Sequence, residues 1–85
     1  MRIGAAVTAA QIRAARALVG WSQPELANAA QLSMPTIRRM EGPLGPGRST
    51  AANVEAVQRA LEDAGVVFME AGESKAGGPG VRLRS

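Results

Sequence analysis

Apolar side chains recur along the first part of the chain at the spacing of an amphipathic helix. On one face of residues 8–19 lie Ile12, Ala15 and Val19, with Leu18 beside them. Positions three and four apart share one side of a helix, and glycine favours helix termination. The pattern therefore predicts a first helix over residues 8–19 that Gly20 ends.

A helix-start signal follows directly. Ser22 is the expected N-cap, because its hydroxyl can accept a hydrogen bond from the Glu25 amide while the Glu25 carboxylate accepts one from the Ser22 amide. Pro24 falls in the first turn, where a backbone N–H has no helical partner and its loss is harmless. A second helix is predicted from Gln23 to about Ala30.

The same kind of signal recurs about ten residues later. Ser33 is the expected N-cap of a third helix that starts at Met34 and ends before Gly42 and Pro43, since proline cannot continue a helix. Apolar residues flank both caps in the positions of a hydrophobic staple: Trp21 with Leu26, and Leu32 with Ile37.

Only residues 31–33 separate the second helix from the third. A connection this short sets two helices roughly perpendicular, which is helix-turn-helix geometry. Ala27 is small enough for the two helices to approach closely. The expected shared core consists of Leu26, Leu32, Ile37 and Met40, with Met40 or Glu41 turned inward at the end of the third helix.

The second half of the chain predicts one more helix. Residues 42–47 are a loop by composition, and Ser49 or Thr50 caps a fourth helix that Gly65 ends. Its apolar positions are Val54, Val57 and Leu61.

The last twenty residues change to a β-type pattern. Residues 66–69 are all apolar and residues 81–84 alternate apolar and basic, which predicts two short strands around a polar, glycine-rich loop over 72–80. The predicted fold is mainly α: a compact bundle of four short helices containing a helix-turn-helix, with a C-terminal β-strand pair or hairpin. We expect one domain over 1–85, with a core over 8–65, a recognition unit over 23–41 and a C-terminal β or dimerisation extension over 66–85.

The amino-acid composition excludes several classes of catalytic and metal-binding site. The 85 residues include no Cys and no His, which excludes disulfides, thiol nucleophiles, Cys/His zinc sites and imidazole acid/base catalysis. Glu62 and Asp63 are adjacent on a helix and therefore point apart. We expect no enzyme activity, metal or cofactor.

No stretch approaches the ~20 apolar residues of a membrane span or forms a signal-peptide core, so a cytoplasmic location is expected.

Charge is divided unevenly along the chain. Residues 1–48 carry six arginines and two glutamates, a net +4, whereas the rest of the chain carries a net −1. A guanidinium binds phosphate and guanine edges through two hydrogen bonds, so an arginine-weighted basic half favours a nucleic-acid partner.

In this order, these signals resemble the Cro and phage-repressor (XRE-like) family of bacterial helix-turn-helix DNA-binding domains. The matching pieces are Ile12, Arg13 and Arg16, then residues 21–27, then residues 32–41, and the resemblance covers residues 8–64. The chain departs from the family at Gln31, where such proteins commonly have glycine in the turn. Gln31 must then adopt a positive φ at a cost of about 1 kcal/mol, or the turn must shift.

The resemblance implies a set of DNA-binding residues. It places Met34, Pro35 and Arg39 at base-facing positions, with Thr36 and Arg38 near the bases or the backbone. Arg39 suits the O6 and N7 atoms of guanine, whereas Met34 and Pro35 offer only apolar contact. Gln23 corresponds to a phosphate-contacting glutamine at the positive end of the second helix, and Arg48 is expected to hold the other flanking phosphate.

Other residues have structural interpretations. The resemblance implies an internal ion pair between Arg16 and Glu41 that joins the first helix to the end of the third. Ser22, Glu25 and Ser33 serve the helix starts. We expect Arg13 and Arg59 to be solvated charges on helix faces.

The function that follows is a sequence-specific, duplex-DNA-binding transcriptional regulator of the repressor type, found in the bacterial cytoplasm or on the nucleoid. A module this small rarely reaches useful specificity alone, so a homodimer on a palindromic operator is expected, with the C-terminal strands as its contact. The alternative is an antitoxin or antiactivator that keeps the scaffold but binds another protein, which the apolar Met34 and Pro35 favour.

Overall fold

Every α-helix of the structure begins at a hydroxyl-bearing N-cap. The computed structural model describes residues 7–69 and 80–84, apart from the side chain of Arg48. The elements are α1 (Ala9–Val19), α2 (Gln23–Ala30), α3 (Met34–Met40), a 3-10 turn (Gly45–Arg48), α4 (Ala51–Asp63), β1 (Val66–Met69) and β2 (Gly80–Leu83). The N-caps are Thr8, Ser22, Ser33 and Thr50, each accepting a hydrogen bond from the amide three residues on.

The predicted fold class is confirmed: four helices are followed by an antiparallel strand pair, and α2 begins and ends where the sequence places it. Three details differ from the prediction. Thr8 is extended and caps α1 rather than starting it, because its hydroxyl accepts from the Gln11 amide. The predicted loop over 42–47 holds a 3-10 turn, closed by a 2.9 Å bond from the Ser49 amide to the Pro46 carbonyl. β2 covers residues 80–83 rather than 81–84.

Mostly aliphatic side chains form one core among the described residues. The largest of the fully buried side chains are Ile12, Leu26, Ile37, Met40, Val57, Leu61 and Val66. They come from all four helices and from β1, so each element contributes to the same apolar cluster. Trp21 lies half-buried at its margin.

The β1–β2 ribbon packs mainly on α1 and α4, whereas α3 packs mainly on α2 and the 3-10 turn. Gln11, which the sequence pattern does not single out, fixes the ribbon to α1. Its Nε2 donates to the carbonyl oxygens of Met69 and Gly80 at 3.1 and 3.0 Å, and the residue is buried. Gly80 pairs with Met69, and a Cβ at Gly80 would lie 3.3 Å from the Met69 Cε, so the end of the Met69 side chain would have to shift slightly to admit one.

Gln31 ends α2 in the left-handed conformation, with φ 58° and ψ 47°. Its φ is therefore positive, as expected for a turn in which Gln31 stands where glycine is common. The turn is closed by a 2.9 Å hydrogen bond from the Leu32 amide to the Ala27 carbonyl. Because a residue with a Cβ is strained in this region, the turn is held in place at some cost in stability.

An ion pair joins α1 to the end of α3. Arg16 Nε donates to Glu41 Oε2 at 2.7 Å and its Nη2 donates to Glu41 Oε1 at 2.9 Å. Its Nη1 donates to the Trp21 carbonyl at 2.9 Å, which also ties the α1–α2 connection. The side chains are 20% and 3% exposed, so the pair is largely removed from water. Such two-point pairing fixes orientation as well as distance.

We expect Gln31→Gly to raise the free energy of unfolding by about 0.5 to 1 kcal/mol, because relief of left-handed strain exceeds the added chain entropy of glycine. Urea unfolding measures the change. Gln31→Ala is the control and should bring no gain, since alanine keeps the Cβ. A loss of stability in the glycine variant would contradict the account.

We expect Glu41→Gln to lower the free energy of unfolding by about 2 to 3 kcal/mol, because it leaves the Arg16 charge without its partner in a largely dry site. The double variant Arg16→Met, Glu41→Leu should lose less than the two single changes together, since no unpaired charge is left. Arg59→Met, an exposed change on α4, is the control and should be near neutral. Additive losses in urea unfolding would show that the two side chains do not interact.

Candidate nucleic-acid interface

The outward face of α3 is formed by three side chains. Pro35, Arg38 and Arg39 are exposed, while Ile37 and Met40 are buried on the opposite side. At 100° per residue, Pro35 lies at the centre of the exposed arc with one arginine on either side. We call Pro35, Arg38 and Arg39 the α3 face. Both guanidinium groups have no acidic partner within the described residues, so the face carries two uncompensated positive charges.

Two further predicted contacts lie at the margins of this face. Met34 is half-buried and packs against the core, so part of its surface is already used inside the protein. Thr36 is half-buried too, and its hydroxyl lies 2.9 Å from the hydroxyl of Ser33. That Ser33 oxygen also accepts from the Thr36 amide at 3.3 Å. These two side chains are therefore held more firmly than the three exposed ones.

Gln23, at the first position of α2, is attached to the end of α3. Its Nε2 donates to Glu41 Oε1 at 3.1 Å, and the residue is half-buried. The amides of Ser22 and Glu25 are occupied by the capping box, and Pro24 has no N–H. Within the described residues the Gln23 amide is thus the donor that remains at this helix start. Unpaired amides at a helix N-terminus suit an anion.

Arg13 differs from the expectation of a freely solvated charge. The residue is exposed, but its Nη1 donates to the main-chain carbonyl of Glu41 at 2.6 Å. Arg13 and Arg16 are three residues apart, so they share one side of α1 and both reach Glu41. That spacing is the signal from which Arg13 could have been assigned. Arg59 is exposed on α4, as expected.

The last predicted DNA contact is Arg48. Its backbone ends the 3-10 turn after α3, and its side chain lies outside the described part of the structure. The expected phosphate contact therefore stays a prediction.

The acidic residues form no metal site in the described part of the structure: it contains no group of three or more acidic, Cys or His side chains placed to hold a metal ion. Glu62 is half-buried and accepts a hydrogen bond from Gln58 Nε2 at 3.1 Å, whereas Asp63 is exposed. None of the helices in residues 7–69 has the length and hydropathy needed to cross a membrane.

Comparison with known proteins adds no identification: the chain matches no model of a protein family, and no curated protein shows detectable similarity to it.

Proposed function

We propose that this protein is a sequence-specific duplex-DNA-binding transcriptional regulator that reads the major groove with α3. The observation that carries the proposal is the α3 face. A short helix, held from behind by Ile37 and Met40, presents Arg38 and Arg39 to solvent without acidic partners in the described structure. Uncompensated arginines on an exposed helix face have a direct use in binding a polyanion.

The dimensions of α3 fit this role. An α-helix with its side chains is about 10 to 12 Å across, which fits the B-DNA major groove of about 12 Å, and the seven residues of α3 give about two helical turns to place there. Arg39 is free to bind guanine O6 and N7 through its two-donor fork, a contact of about 1 to 3 kcal/mol in discrimination. Pro35 offers an apolar contact, as to a thymine methyl. Arg38 lies at the other side of the face, toward the groove wall.

The start of α2 supplies a phosphate contact that does not depend on base sequence. Gln23 has its main-chain amide unpaired within the described residues and its side chain fixed by Glu41. A phosphate at this place would also meet the positive end of the α2 dipole. Such contacts set the position of a protein on the duplex, while α3 sets the sequence.

We further propose that the protein binds as a homodimer paired through β2. The Arg84 amide donates to the Gly65 carbonyl at 2.7 Å. Antiparallel ladders alternate, so Val81 and Leu83 direct their backbone groups away from β1. Leu83 is also 43% exposed although it is a large apolar residue. A strand edge that has no partner among the described residues and carries an exposed leucine favours pairing with a second copy.

Selection of bound duplexes from a random pool is the direct test of DNA binding and should yield a palindrome. On the selected site, Arg39→Ala should weaken binding by about ten- to a hundredfold and relax the preference at one base pair per half-site. Gln23→Ala should weaken binding to selected and random duplexes alike. Titrations by fluorescence anisotropy measure both, and Arg59→Ala is the charge-matched control that should bind normally.

Equal losses on selected and random duplexes for Arg39→Ala would contradict its role in base reading. Affinity for DNA should also fall steeply with added salt, in proportion to the phosphates contacted. A protein that recovers no duplex, but holds a protein partner with little salt dependence, would be the antitoxin or antiactivator instead.

For the dimer, we expect Leu83→Lys to weaken self-association at least tenfold, because it removes apolar contact and brings like charges together across the strand edge. Sedimentation equilibrium measures this. Leu18→Lys, which alters another exposed leucine on α1, is the control and should leave the dimer intact. An undiminished dimer in the Leu83 variant would remove β2 from the contact.

A further inference from the structure

Glu41 joins three side chains at the C-terminal end of α3. Its carboxylate accepts from Arg16 and from Gln23, and its main-chain carbonyl accepts from Arg13 at 2.6 Å. Arg13 and Gln23 are therefore both anchored on one residue, although 10 positions separate them in the chain. Each of the two side chains is within hydrogen-bonding distance of Glu41, which lies where α1, the start of α2 and the end of α3 meet.

The charges around Glu41 do not cancel. Glu41 is neutralised by Arg16 through two hydrogen bonds, and Arg16 uses its third nitrogen on the Trp21 carbonyl. Arg13 contacts only the uncharged carbonyl of Glu41, and no acid pairs with it in the described part of the chain. The positive charge of Arg13 is thus both fixed in place and available.

Arg13 also keeps most of its donors. A guanidinium has five N–H groups in a rigid plane, and one bond to the Glu41 carbonyl leaves the other four without a protein partner among the described residues, on an exposed residue. A planar set of donors matches two oxygens of a phosphate. The bond to Glu41 already restricts the rotamers of the Arg13 side chain, so less conformational entropy is lost when it binds a phosphate.

We propose that Arg13 and Gln23 together form one phosphate-binding site at the C-terminal end of α3, with Arg13 supplying its charge; this rests on the proposed DNA-binding function. An α-helix with its side chains is about 10 to 12 Å across and fills a major groove about 12 Å wide, so elements packed at the ends of the helix lie beside the phosphate backbones. Residues anchored on Glu41 lie at one of these ends. Gln23 contributes neutral donors, and Arg13 contributes the ionic contact that releases counterions.

The test replaces Arg13 by Gln, which can keep a donor for the Glu41 carbonyl while removing the charge. Binding of the full chain to a random-sequence duplex is titrated over a series of salt concentrations. We expect Arg13→Gln to weaken binding about fivefold at low salt. The slope of log affinity against log salt is negative, and we expect its magnitude to fall by about 0.9 per bound copy. Arg13→Lys should restore most of the slope, and Arg59→Gln should change neither quantity.

Each outcome is decisive. Unchanged affinity and slope in Arg13→Gln, alongside weakened binding in Gln23→Ala, would overturn the assignment of Arg13 and leave DNA binding in place. Weakened binding with an unchanged slope would also overturn it, since the loss would then come from altered structure rather than a missing charge. Absence of duplex binding by the unaltered protein would overturn the proposed function itself.

Discussion

The ion pair between Arg16 and Glu41 is the constraint on which the proposed interface depends. α3 has only seven residues, too few for a stable isolated helix, and its orientation must come from contacts at its two ends. At the start, Ser33 and the α2–α3 turn provide the contact. At the end, Glu41 receives two hydrogen bonds from Arg16, with Ile37 and Met40 buried between. If Arg16 did not pair with it, the buried Glu41 carboxylate would be an uncompensated charge, and a different orientation of α3 would be favoured.

The same residue also organises the surface around it. Because Glu41 is already neutralised, it can sit beside a proposed phosphate site without repelling the anion. Gln23 and Arg13 take fixed positions on its side chain and main chain. One acidic residue thus links the internal packing of α1 and α3 with the placement of outward-facing donors, and positional order at the interface follows from order in the core.

The fold separates the two proposed surfaces, which have different physical requirements. α3 lies with α2 and the 3-10 turn, whereas the ribbon lies on α1 and α4. A groove-reading surface needs unpaired positive charge, and a self-pairing edge needs open backbone groups and apolar side chains. Placing them on different elements lets each change without the other. In the proposed dimer, α1 would connect the two, since it contacts the ribbon through Gln11 and α3 through Arg13 and Arg16.

The sequence by itself determined the features that depend on residues three or four apart: the caps of α2 and α3, their bounds, the short turn between them, and the apolar positions of each helix. Resemblance to a family added the positive φ of Gln31 and the Arg16–Glu41 pair. Only the tertiary structure decided the role of Gln11, which reaches carbonyls 58 and 69 residues away, the attachment of Arg13 and Gln23 to Glu41, and the packing of Met34. Local hydrogen bonds repeat in sequence at a fixed spacing, whereas a contact between distant segments depends on how whole elements pack, and no spacing records it.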